Sequence, residues 1–308
     1  MYKLPWPRLR WLFVLILIAG VRLSAAPPLP VDPPEAGTEI DFPLPGKYDA
    51  REVCPGVLFH SYVYEDFFGK PQVVSILEIS LARRDLFMAL RRCTDSRMTP
   101  EQFAREYRAT AVLNCGFFNF KDNSPSFGFM LAGKVIGQFR PSPGSGVLAF
   151  PNQRTPVIFA FPDESAFDPR RFREAISFPN LLVSGGEKLE FEAPAGYRHP
   201  RTAVGITADK RMIWLIVDGR SEQSQGVNLN ELAALMKECG CVDALNLDGG
   251  GSSAMWVKFP REKGSVVNHP SDNRKFDHEG ARAVHDVLVL RRFATVPGQK
   301  LPRGERSR

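Results

Sequence analysis

The run Leu245-Asn246-Leu247-Asp248-Gly249-Gly250-Gly251-Ser252-Ser253 constrains this chain more than any other stretch. Apolar residues lead into one carboxylate, and three glycines and two hydroxyls follow at once, a poor sequence for a core and a good one for a site. Glycine lets the backbone approach a ligand and adopt positive φ, so consecutive N–H groups can point into one anion-holding concavity. Asp248 would sit at its mouth. A tight turn steadied by Asp248 is the plainer alternative, but such a turn needs fewer glycines.

The 308 residues suffice for a sizeable core in one large domain or two small ones. Residues 1–26 read as an export signal: Lys3, Arg8 and Arg10 precede an apolar run over 11–21, and the small Ser24, Ala25 and Ala26 follow. That run is about 11 residues, short of the ~20 that cross a bilayer as a helix. Cleavage and release are therefore expected, with no stable membrane span afterwards. Residues 27–46 are proline-rich and read as a stiff linker. A single domain over 47–292 and a basic tail over 293–308 complete the expected organisation.

The formal charge of +6 misleads. Lys3, Arg8, Arg10 and Arg22 lie in the leader, and Lys300, Arg303, Arg306 and Arg308 in the tail. Without them the body is close to neutral, which removes the usual argument from high pI to nucleic acid. Five cysteines in an exported chain cannot all pair internally. Cys54 and Cys93, on either side of an expected hairpin, are the best disulfide candidates. Cys239 and Cys241 complete no zinc pattern and read as buried thiols.

Residues 57–64 and 73–81 are β-rich runs around Phe68-Gly69-Lys70-Pro71, a hairpin pattern. Thr99-Pro100-Glu101 opens a short helix. Residues 201–207 and 212–217 form a second hairpin, and the latter run does not alternate, so it is expected to be covered on both faces. Leu229, Leu232, Leu235 and Met236 make a helical stripe closed by Gly240. Strand, helix and strand in succession predict a right-handed crossover and two parallel strands. The fold class expected is α+β, a mixed sheet with hairpins and one βαβ crossover, its cleft at the carboxyl ends of the strands.

Three apolar strands end alike, at Asn114, Asp218 and Asp248, each followed by or close to glycine. In one sheet with a common sense, their polar ends would meet in one cleft. Period-two geometry puts Asn246 on the face of Asp248. Arg201 and Arg220 add guanidinium forks suited to phosphate oxygens, and Ser252 and Ser253 can donate to the same anion.

His199-Pro200-Arg201-Thr202-Ala203-Val204-Gly205, Val217-Asp218-Gly219-Arg220-Ser221, the helix opening at 226–229, residues 246–253 and Arg282-Ala283-Val284 together resemble the phosphodiester glycosidase family. Asn114 to Asn119 is similar to that family's Gly-Phe-Phe element, with Cys115 where glycine is more usual. The matching motifs cover 114–290.

The resemblance implies hydrolysis of a sugar-1-phosphodiester at the anomeric carbon. A phosphomonoester leaves readily, so cationic stabilisation of the departing phosphate matters more than strong general-acid help. On this expectation Arg201, Arg220, the amides of Gly249, Gly250 and Gly251, and Ser252 and Ser253 hold the phosphate. Asp248 and Asp218 serve the anomeric carbon as nucleophile or base and as oxocarbenium stabiliser. Asn114, Asn119 and Asn246 orient sugar hydroxyls, Phe117 and Phe118 line the pocket or the core, and His199 and Arg282 stay open between site and scaffold. No cofactor is expected to be required, though a calcium or magnesium ion is left open. Two alternatives are a metal-dependent phosphodiesterase using Asp218, Asp248 and Asn114 as oxygen ligands, and a noncatalytic exopolysaccharide-binding or assembly protein.

Overall fold

The structure is a computed structural model, and it describes residues 47–192 and 197–293. The expected signal, the linker and all but the first residue of the expected tail lie outside the described residues. Three antiparallel sheets make up the fold. The largest has eight strands in the order Lys47–Cys54, Val57–Phe67, Lys70–Ser80, Arg211–Val217, Arg201–Thr207, Cys241–Asn246, Leu181–Ser184 and Glu187–Lys188. A second sheet runs Lys134–Gly137, Phe129–Leu131, Glu174–Phe178, Gly146–Phe150 and Val157–Ala160. The third runs Ser265–Val266, Met255–Val257, Ala111–Asn114, Asp286–Arg292 and Leu86–Arg92.

Local chemistry accounts for the elements. Phe68 and Gly69 both have positive φ, at 56° and 75°, and Phe67 pairs with Lys70. Two central residues in that region give the turn whose twist matches a hairpin. The helix Pro100–Glu106 starts in a capping box between Thr99 and Gln102, with proline in its first turn. A second capping box, Asn228 with Glu231, starts the helix Leu229–Glu238. Gly240 follows it at φ 76°.

The mixed α+β class with a βαβ crossover is overturned. The chain is mostly β, and every strand pair is antiparallel. Arg211–Val217 and Cys241–Asn246 do flank the helix Leu229–Glu238 in sequence, but they do not pair. Arg201–Thr207 lies between them and bonds to both, with Arg201 opposite Val217 and Ala203 opposite Asn246. A strand buried on both faces reads the same beside a parallel or an antiparallel neighbour, so the local pattern could not reveal the strand inserted from earlier in the chain. The run 212–217 is fully buried, as its lack of alternation requires.

The main core joins all three sheets: Leu77, Val204, Trp214 and Leu245 meet Leu148 and Phe178 of the second and Leu113 and Leu288 of the third. The outer face of the large sheet is closed by Leu232, Leu235 and Met236 of the helix, against Ile213, Leu215 and Ala244. Burying such side chains is worth roughly 1.5–3 kcal/mol each. Sheet ends that meet at this core are therefore held firmly.

The Cys54–Cys93 disulfide is not formed. All five cysteines are free thiols. Cys54 ends a strand of the large sheet, whereas Cys93 follows Leu86–Arg92 of the third sheet and faces Ser96 Oγ at 3.7 Å. The hairpin between them forms, but the strands that carry them toward it belong to different sheets. Burial pushes the Cys54 thiol up to about 11. Cys239 and Cys241 are buried, as their setting in the sequence suggests.

Candidate active site

Asp248 stands where two sheets meet. Asn114 belongs to the third sheet and not to the sheet of Asp218 and Asp248, contrary to the common sheet expected. The ends still converge, because hydrogen bonds cross the seam. The Asp248 N–H donates to Cys115 O at 2.9 Å, and Asn114 Nδ2 donates to Asp248 O at 2.5 Å. Asn114 Oδ1 accepts from Thr202 Oγ1 at 3.0 Å and from the Ala254 N–H at 3.1 Å. Asn114 is thus a buried tie between sheets.

The Asp248 carboxyl is raised to about 6, chiefly by burial. Hydrogen bonds from Ser252 and the Gly249 N–H and the charge of Arg282 oppose the rise, and Asp286 adds to it. Asp286 is completely buried and pairs with Arg92 at 2.6 Å. Burial raises it too, to about 6, against the pull of Arg92. The Cys115 N–H donates to Asp286 O at 3.1 Å, so a single residue links the two acids.

The glycines are required by what lies against them. A Cβ on Gly249 would stand 2.8 Å from Pro200 O, and one on Gly250, itself at φ 63°, would stand 2.9 Å from Arg220 Nη2. One on Gly251 would collide with Asp272 and Arg282. Two guanidinium groups therefore rest directly on the glycine loop. Its amides are partly committed: the Gly250 N–H donates to Pro200 O at 2.8 Å, and the Ser252 N–H to Gly249 O at 3.2 Å.

The cations differ in their partners. Arg282 is held by Asp272 through two bonds of 2.7 Å and reaches Ser252 Oγ at 3.4 Å. Arg201 is half-buried and donates from Nε to Val227 O at 3.1 Å, with no carboxylate partner among the described residues. Burial lowers its pKa. Arg220 is exposed, at φ 63°, and also has no carboxylate partner among the described residues. His199 lies beside both: burial, then Arg201 and Arg220, depress its pKa. Its Nδ1 is buried without a hydrogen-bond partner.

Asp218 is buried at the end of its strand and is saturated with donors. Its Oδ1 accepts from Asn268 Nδ2 at 2.9 Å and from the His269 N–H at 3.0 Å, while Oδ2 meets His269 Nδ1 at 2.8 Å. Phe276 stacks on the His269 ring at 3.8 Å and 8°, and His278 stacks at 4.5 Å. Asn268 also donates to Ser253 O at 3.2 Å, which ties this histidine to the glycine loop. The oxygens of Asp218 and Asn114 are thus engaged by protein donors. Among the described residues no group of three or more His, Cys, Asp or Glu side chains is placed to hold a metal ion.

The other expected residues lie as follows. Ser253 Oγ accepts from Thr202 Oγ1 at 3.1 Å and is buried. Asn246 is buried with its Oδ1 unpartnered. Asn119 lies in an exposed turn, where its Oδ1 accepts from the Lys121 N–H at 2.9 Å. Phe118 is in the core around the first helix, and Phe117 packs edge-on against Phe127 and Phe178.

His269, Asn268, Asp272, Asp286 and Arg92 were not singled out from the sequence. The available signal was length: residues 267–285 join two strands with no periodic pattern and many polar groups, and loops so long are commonly functional. For Asp286 and Arg92 there was no signal, since each reads as the end of an ordinary strand.

The fold and site together define an antiparallel β protein whose glycine loop lies against a buried carboxyl and against arginines with no carboxylate partner among the described residues. The chain belongs to the phosphodiester glycosidase family, whose sequence profile matches residues 107–291. The bovine N-acetylglucosamine-1-phosphodiester alpha-N-acetylglucosaminidase is 28% identical over 198 residues, covering 58% of this chain and 36% of the bovine protein. The SPbeta prophage-derived uncharacterized protein YomE of Bacillus subtilis is 36% identical over 98 residues, 32% of this chain and 14% of that protein. The chain thus spans little more than a third of these relatives at most. The fold is similar to the zebrafish N-acetylglucosamine-1-phosphodiester alpha-N-acetylglucosaminidase catalytic domain auto-inhibited by pro-peptide, with TM-score 0.59 at 20% identity over 80% of this chain and 88% of that one.

Proposed function

We propose that this chain hydrolyses sugar-1-phosphodiesters, N-acetylglucosamine-1-phosphodiester-like in character, to free sugar and phosphomonoester. The observation that carries this is Arg201, a half-buried guanidinium with no acidic partner among the described residues, set beside the glycine loop that follows Asp248. A cation removed from water needs an anion, and a phosphodiester supplies one while presenting its anomeric carbon toward Asp248.

In the proposed reaction Arg201 and Arg220 hold the phosphate and stabilise the charge it gains on leaving. The ionised Asp248 faces the positive charge that develops at the anomeric carbon. His269 Nε2 takes a proton from water as the water oxygen bonds to that carbon and the carbon–oxygen bond to phosphate breaks. Asp218 fixes the His269 ring and stabilises its cation, as a buried carboxylate does for a catalytic histidine. Asp218 is therefore a positioning residue in this scheme. Asn246, with a free carbonyl oxygen at the seam, and Asn119 at the rim are candidates for sugar hydroxyls. No metal or cofactor enters the scheme.

Export and a surface-glycan substrate belong to the same proposal and rest on the leader-like residues 1–26. Among the described residues no helix is long and apolar enough to cross a membrane. The deciding experiment offers a methyl N-acetylglucosamine-1-phosphodiester to wild type and to Asp248→Asn and follows products by NMR. Free sugar and methyl phosphate from wild type alone, with the oxygen of isotopically labelled water in the sugar's anomeric hydroxyl and none in the phosphate, support the proposal. Sugar phosphate with methanol would place cleavage at phosphorus and reject it.

A further inference from the structure

The two most exposed large aromatic side chains among the described residues are Phe120 and Tyr197, at 62% and 60%. Both stand at the candidate site. Tyr197 meets the His199 ring edge-on at 4.8 Å, and Arg282 Cζ lies 5.8 Å from the centre of the Phe120 ring. Scattered apolar side chains on a surface are ordinary, but an exposed ring among a site's polar groups offers a ligand an apolar surface.

The exposure of Phe120 is built into its loop. Asn119 closes one turn through Lys121, its own N–H donates to Ser124 O at 2.9 Å, and its carbonyl accepts from the Asn123 N–H at 2.9 Å. Asp122 Oδ1 accepts from both the N–H and the hydroxyl of Ser124. Arg92, anchored on buried Asp286, donates to Asn123 O. The ring is thus presented from a tethered segment.

Contacts lead outward from the reacting carboxyl in a definite order. Asp248 accepts from Ser252, Ser252 meets Arg282 at 3.4 Å, Arg282 flanks Phe120, and Arg97 flanks the same ring at 5.6 Å. Arg97 is exposed and has no carboxylate partner among the described residues. One unpaired cationic group, Arg201 with Arg220, already abuts the glycine loop. A second, Arg97, lies beyond the Phe120 ring in that series of contacts. Cations, carboxyl, an exposed aromatic ring and a further cation, in that order of contacts, match a chain of sugars joined through phosphates.

We propose that Phe120 and Arg97 form a glycon-side subsite for glycosyl-phosphate polymers. The sugar whose anomeric bond is cut lies against Phe120, and the phosphate on its far side meets Arg97, so internal linkages are preferred over a terminal sugar. This rests on the glycosidase reading above and deepens it. Sugar C–H faces stack on aromatic rings, and a guanidinium pairs with phosphate oxygens in two-point fashion.

The test compares a synthetic trimer of N-acetylglucosamine joined by anomeric phosphodiesters with the methyl phosphodiester, in wild type, Phe120→Ala, Phe120→Trp and Arg97→Gln. Wild type should favour the trimer by about tenfold or more in kcat/KM, through KM, equivalent to one decade of affinity. That ratio should fall toward unity in Phe120→Ala and Arg97→Gln and persist in Phe120→Trp. Equal use of both substrates by wild type, or a ratio untouched by the substitutions, overturns the subsite. Calorimetric binding of the trimer to Asp248→Asn separates the two readings. If wild type turns over neither substrate, binding that is lost in Phe120→Ala and Arg97→Gln keeps the subsite and rejects the reaction, and absence of binding rejects the subsite too.

Discussion

His269 Nδ1 lies 2.8 Å from Asp218 Oδ2, and the backbone N–H of the same histidine also donates to that carboxylate. The ring contact orients the imidazole and the backbone bond holds the residue, so that in the proposed reaction Nε2 is the nitrogen left to take the proton. Asp218→Asn should therefore lower kcat by about 100-fold or more, the scale of a lost general base, with KM less affected. It also replaces an acceptor by an amide facing donors, so a stability loss of about 1–3 kcal/mol is expected. Thermal unfolding and kinetics on the same samples check both.

Asp248 should set the acid limb of the pH profile. With its carboxyl raised to about 6 and acting ionised, kcat/KM should decline below that pH by at least one decade per unit, and more steeply where His269 is protonated as well. Asp286 helps to raise it, so Asp286→Asn should move the limb to lower pH. A limb that does not move in this variant would exclude the coupling.

The same two acids make a stability prediction. A carboxyl whose folded pKa lies above its unfolded value near 3.8 binds protons more tightly when folded. Its stabilising contribution is full below the unfolded value and is lost as pH rises through about 6. Asp248→Asn should flatten the fall in stability between these values, read by denaturant titration across that window.

Arg201 carries a charge in a half-buried place without an acid. Arg201→Met should leave the free protein as stable as wild type or more so, because an unpaired cation no longer has to be desolvated. Inorganic phosphate should raise the melting temperature of wild type and not of this variant. A phosphate effect that survives the substitution would remove Arg201 from the anion site.

Gly251 has no room for a side chain. Gly251→Ala should displace the Asp272–Arg282 pair, costing about 1–3 kcal/mol as overpacking does, and should reduce activity. Gly144, at φ 79° in open space, is a control: alanine there tests backbone strain without any collision at the site.

Much of this was legible in the sequence, for identifiable reasons. Thr99 with Gln102 and Asn228 with Glu231 announce helix starts through neighbours in the chain, and Phe68-Gly69 announces a hairpin in the same way. The glycine run after Asp248 marked the site because glycine in such numbers has a backbone reason. The βαβ expectation failed because the strand Arg201–Thr207, which separates the two expected partners, comes earlier in the chain, and nothing in the intervening residues records its insertion.

The sequence by itself determined the family and the elements: periodicity, caps and glycine turns are local, acting over a few residues. Only the tertiary structure decided the partners of the site's charges. That Asp218 serves His269, that Asp286 leans on Asp248 through Cys115, and that Arg201 has no acid among the described residues all depend on which strand ends meet at the seam between sheets. Burial and electrostatic coupling act through space, so residues far apart in the chain acquire their chemistry only when the sheets close on one another.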